Sequence, residues 1–137
     1  MEFESGLEPD MTPNLDEFLL ARIAEDKRIA TDAAQAGGHE RWVAGDLPGS
    51  APPHDRTAEH VLRHDPARVL VECAAKRRLV LACRDVRPDY SFLGERRPGL
   101  ADFPLSPGDQ HQLAAVTLAL LALPYREHSE YRGEWRP

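Results

Sequence analysis

The sequence predicts a mainly α protein: a compact bundle of three longer helices plus a short one, with long packed loops and a C-terminal aromatic tail. Apolar residues recur at helical spacing in several segments, and capping or breaking residues bound those segments. The only strand-like piece is residues 41–44. With 137 residues, 42% of them hydrophobic, the chain can bury a core without a disulfide or metal staple. The expected organisation is a disordered acidic arm over residues 1–12 and a single helical domain over residues 13–137, tail included.

The first helix is expected to start at Asn14, because Asn14 and Glu17 have the spacing of a reciprocal cap. Leu15, Phe18, Leu19, Ile23 and Ala30 then follow helical spacing to about Gln35. Gly37 and Gly38 stop the helix, since glycine tolerates the left-handed turn that closes a helix end. Residues 39–56 hold Gly45, Pro48, Gly49, Pro52 and Pro53 and form a loop. A short helix runs from near Thr57 to His64, where Pro66 disfavours helical backbone at Asp65. Asp65 can cap, and Pro66 suits the first position of a helix reaching about Cys83 through Val69, Leu70, Cys73, Arg77 and Val80.

Residues 85–105 form a connection carrying Tyr90, Phe92, Leu93, Leu100 and Phe103 as packing anchors. Ser106 and Asp109 then predict a last helix over about residues 107–123. It is apolar nearly all round from Leu113, so it is expected to be central, with Leu113, Val116, Leu120 and Leu121 buried. Pro124 ends it.

Charge excludes some functions. Glu2, Glu4, Glu8, Asp10, Asp16 and Glu17 precede the first basic residue, Arg22, and account for the whole net charge of −6. A neutral body with an acidic arm argues against nucleic-acid binding, which needs a basic surplus. Arg63, Arg68, Lys76, Arg77, Arg78 and Arg84 do not reverse this, because adjacent helical residues diverge by about 100°. The longest apolar stretch, residues 113–123, is about half what a bilayer requires, so no membrane partner is expected. No basic segment leads an apolar run, and Cys73 and Cys83 fit a reducing compartment, so the expected location is the cytoplasm. Both cysteines fall in one helix, about 15 Å apart along its axis, and cannot pair there.

His60 and His64 share a helix face and are the candidate metal pair, with zinc as the metal they suit. Asp65, His54, Cys73 or His128 would have to complete the shell, and the zincin motif is absent because Val61 follows His60. Two exposed or hydrogen-bonded histidines near a helix end is the simpler expectation, so no cofactor is expected. Tyr125, Tyr131, Arg132 and Trp135 are the candidate docking residues, being the types that dominate interface hot spots. The tail itself is expected to fold over the helices with its aromatics packing internally, and an exposed docking peptide or homodimer contact is the alternative.

The segment His60-Val61-Leu62-Arg63-His64-Asp65-Pro66-Ala67-Arg68-Val69-Leu70, the triplet Lys76-Arg77-Arg78, and the ending from Leu120-Leu121-Ala122-Leu123-Pro124-Tyr125 to Trp135-Arg136-Pro137 carry a resemblance. They resemble a family of small uncharacterised proteins common in actinobacteria and their phages. The resemblance implies membership and assigns no chemistry to any residue. The function expected is therefore a non-catalytic small cytosolic interaction protein, phage- or mobile-element-associated, whose partner is another protein or a second copy. The rivals are a metal-binding or cysteine-dependent enzyme using His60, His64 and Cys73, and an acidic inhibitor occupying a nucleic-acid-binding site.

Overall fold

The computed structural model describes residues 14–47, 56–93 and 109–137. The acidic arm, His54, Leu100, Phe103 and the Ser106-Pro107-Gly108 start signal lie outside the described residues. The fold is mainly α, with helices α1 (Leu15–Gly37), α2 (Arg56–Arg63), α3 (Pro66–Asp85) and α4 (Gln110–Ala122), and no strand among the described residues. Residues 41–44 are a correction: the chain there leads into a 3-10 turn at Ala44–Asp46. Asp46 closes that turn by accepting the Val43 N–H at 2.7 Å, a local bond that competes with extended pairing.

The helix ends follow local chemistry. Glu17 Oε1 accepts the Asn14 N–H at 3.1 Å, and Asp16 and Glu17 place negative charge against the positive end of α1. Gly38 ends α1 with φ +84°, a left-handed backbone that a β-carbon would strain. α2 and α3 are separate helices joined by a turn: the His64 N–H reaches back to the His60 and Val61 carbonyls, and Asp65 Oδ1 caps α3 at the Arg68 N–H, 3.0 Å away. α4 begins later than the sequence predicts. Asp109 accepts the Gln112 N–H at 3.0 Å, so it serves as the cap itself, and the helix starts at Gln110.

The chain divides into two compact units. One comprises the residues up to Arg22 together with Arg78–Pro137. Its core is Leu15, Phe18 and Leu19 of α1, Val80 and Cys83 of α3, Leu93, Trp135, and Ala114, Ala115, Val116, Leu118, Ala119 and Ala122 of α4. α4 is where the structure overturns an expectation. Leu113 and Leu120 are 54% and 46% exposed and Leu121 is half-buried, whereas Val116 is buried as expected. Residues seven apart nearly eclipse on a helix, and the buried alanines and Leu118 occupy the opposite arc. Small side chains let neighbouring backbone approach, so the alanine face is the one the unit buries.

The second unit is Ile23–Arg77, with Ile23, Ala30, Ala58 and Cys73 buried. Arg77, which shares the predicted apolar spacing of α3, is exposed. Within this unit residues 39–46 are tied to the start of α3: the Ala67 N–H donates to the Glu40 carbonyl at 2.9 Å, and the Trp42 N–H to Asp65 Oδ2 at 3.1 Å.

Candidate functional site

The C-terminal segment is folded by consecutive turns. Amide N–H groups of Arg126, His128, Tyr131 and Trp135 each donate to the carbonyl three residues earlier, which keeps the backbone satisfied outside any long helix. Short 3-10 turns at Leu123–Tyr125 and Gly133–Trp135 begin and close the run.

Aromatic rings hold this segment to α1. Phe18, 1% exposed, has the rings of Trp135, His128, Tyr131 and Tyr125 around it at 5.0, 5.6, 6.0 and 6.4 Å between centroids. Tyr131 and Trp135 also meet edge-on at 5.7 Å. Such tilted and edge-on contacts favour the ring quadrupoles beyond simple burial. The Arg22 guanidinium covers Phe18 at 5.4 Å and reaches His128, while the Glu130 N–H donates to His128 Nδ1 at 3.0 Å.

This packing distributes the candidate docking residues. Trp135 is 4% exposed and serves the internal cluster. Tyr125, Tyr131 and Arg132 are half-buried, with Arg132 over the Trp135 ring at 5.9 Å and paired to Glu134 at 3.2 Å. Two clefts flank them. One, of about 680 Å³, is lined by Asn14, Leu15, Tyr90, Ser91, Arg132 and Trp135 among others. Burial, followed by the nearby Asp16 carboxylate, pushes the Tyr90 phenol up to about 12. The other cleft, of about 480 Å³, is lined by Leu123, Arg126, Glu127, Tyr131, Gly133 and Arg136. Tyr131 Oη is buried and has no hydrogen-bond partner among the described residues. Burial raises the Tyr131 phenol, while the positive charges of Arg136 and Arg126 act in the opposite direction.

A third concavity belongs to Ile23–Arg77. About 390 Å³ in volume, it has Ile29, Ala30, Val69 and Cys73 on its apolar surface, with Trp42 as a wall and Asp26, His64, Glu72 and Lys76 at its polar edge. The Trp42 ring lies over Gly37, 3.5 Å from where a β-carbon would stand, and its indole N–H donates to the His39 carbonyl at 3.1 Å. Burial, and then the charge of Asp26, push the Cys73 thiol up, which keeps it protonated and poorly nucleophilic.

His60 and His64 do come together, their rings 4.4 Å apart. His64 Nδ1 bonds the His60 carbonyl at 2.9 Å. Asp65 is committed to the Trp42 and Arg68 amides, and those two bonds hold its carboxyl below the usual aspartate range. Among the described residues no group of three or more His, Cys, Asp and Glu side chains is arranged to hold a metal ion. Cys83 is buried, with its thiol also pushed up by burial. The sequence did not reveal Phe18 as the acceptor of the tail or Trp42 as a groove wall. Both depend on contacts between distant segments, and neither residue carries a local motif.

A family model described as a family of unknown function, DUF6221, matches residues 12–137. No curated protein and no solved structure matches the chain.

Proposed function

The chain belongs to this family of unknown function, and we propose that the protein is a non-catalytic interaction protein whose folded C-terminal segment docks another protein. The observation that carries this is the placement of the tail: Phe18 and Trp135 anchor it internally, so Tyr131 and Arg132 stand in fixed positions beside two clefts. A pre-ordered surface loses little conformational entropy on binding, which favours recognition by a partner. The proposal extends to a cytoplasmic setting and to an actinobacterial or phage origin, which rest on the two buried free cysteines and on the sequence resemblance respectively.

Cross-linking in a host lysate, comparing the parent with Arg132→Glu, tests this. Arg132 is half-buried at the rim, so the variant should retain its fold while partner cross-links through the tail are lost. Undiminished cross-links from a folded Arg132→Glu protein would overturn the proposal.

A further inference from the structure

The cleft beside Tyr131 has chemistry that specifies part of its ligand. Among the described residues its charged lining is Arg126, Arg136 and Glu127, a net of one positive charge at neutral pH. Arg126 spends one N–H on the Leu123 carbonyl at 3.1 Å and retains other donors in its planar fork. Arg136 is exposed and makes no ion pair among the described residues. Tyr131 adds a hydroxyl that is buried without a partner among the described residues. An unsatisfied buried hydroxyl costs stability, and native structures rarely retain one without a use. Here the ring is fixed against Phe18 and Trp135, so the hydroxyl cannot swing away to find water.

Resting on the docking role argued above, we propose that this cleft is an oxyanion subsite that takes an acidic side chain of the partner protein, with Arg126, Arg136 and Tyr131 Oη as its donors. Guanidinium groups suit carboxylates because two parallel N–H donors match two oxygens. Phosphate offers similar oxygens, but the net charge of +1 on the described lining complements a monoanion, and Glu127 repels a dianion more strongly. The rearrangement needed is of the long, exposed Arg126 and Arg136 side chains, which have to move for a carboxylate to reach the buried Tyr131 Oη, with Arg126 exchanging its bond to the Leu123 carbonyl for one to the ligand.

The test uses the full chain and three probes: a hexaglutamate peptide, inorganic phosphate and a hexalysine peptide, each titrated while heteronuclear NMR follows residues 126–136. Hexaglutamate should shift these resonances saturably. Tyr131→Phe and the double variant Arg126→Gln, Arg136→Gln should each weaken that affinity about tenfold or more. Arg28→Gln, on an exposed part of α1, should leave it unchanged. Tyr131→Phe separates binding from folding, since it keeps the ring and removes only the orphan hydroxyl; its melting temperature without ligand should equal or exceed the parent's. A lowered melting temperature would mean that the hydroxyl is bonded internally, and would overturn the inference. So would a response to phosphate without one to hexaglutamate, an equal response to hexalysine, or no response to any probe. If hexaglutamate fails while partner cross-links still depend on Arg132, this subsite is wrong and the docking role stands. If both fail, both are wrong.

Discussion

Replacing Trp135 by alanine should produce the largest stability loss of any change in the tail. The ring is 4% exposed and sits 5.0 Å from Phe18 and 5.7 Å from Tyr131. Tryptophan truncation in a packed site costs about 3–5 kcal/mol, combining lost transfer energy with the cavity left behind. The two ring contacts belong to that figure, each contributing about 0.5–1.5 kcal/mol. Set against a total stability of roughly 5–15 kcal/mol, such a loss brings the protein near its unfolding threshold. Thermal melts followed by far-UV circular dichroism, with urea midpoints as a second measure, check it. The melting temperature should fall by on the order of 10 °C or more. Near-UV dichroism should lose the signal of ordered aromatic rings around Phe18. A variant that melts within a degree or two of the parent would refute the reasoning, because a ring in that position cannot be removed without loss.

Leu120→Asp should cost less than about 1 kcal/mol, since its side chain is 46% exposed, whereas Leu118→Asp, at 0% exposure, should cost several; equal urea midpoints for the two would contradict the facing of α4. Asp65→Ala should cost about 0.5–2 kcal/mol through the lost α3 cap. The folded-state pKa of Asp65 is depressed, so its stabilisation is present above the ordinary aspartate value near 4 and disappears as pH falls through the folded value. The difference in melting temperature between parent and variant should therefore shrink on acidification, and a constant difference down to strong acid would count against it. Tyr90 has a pKa raised to about 12, so the stability it contributes is intact below about 10 and declines as pH rises toward 12. Spectrophotometric titration of the parent against Tyr90→Phe should assign the latest-ionising phenol to this residue; ionisation of Tyr90 near 10 in folded protein would contradict its burial.

The parts legible in the sequence are those governed by local chemistry. Glu17 reaches back to the Asn14 amide, Gly38 adopts positive φ, and Asp65 caps the helix begun by Pro66, all within a few residues of the signal. The histidine pair is similarly local: four residues on a helix bring the rings together whatever surrounds them. The facing of α4 was not legible, because a segment apolar on all sides has no periodicity from which to choose its buried arc. Alanine content decided it through close approach, leaving Leu113 and Leu120 outward. At the start of α4, Ser106 and Asp109 both have capping side chains, and Asp109 takes the role. The second carboxylate oxygen of Asp65 binds Trp42, twenty-three residues away, a pairing that no spacing rule reaches. Likewise the tail's aromatic content showed that it could bury rings, but not that Phe18 would receive them or that the Tyr131 hydroxyl would be left unpaired among the described residues.

The most direct measurement of the docking role is amide hydrogen exchange of the full chain, free and bound to the partner that Arg132-dependent cross-linking identifies. New protection is expected over residues 126–136, where Tyr131 and Arg132 stand beside the two clefts, with residues 23–77 unchanged. Protection confined instead to the groove walled by Trp42 and Cys73, with the tail exchanging as in the free protein, would contradict the account.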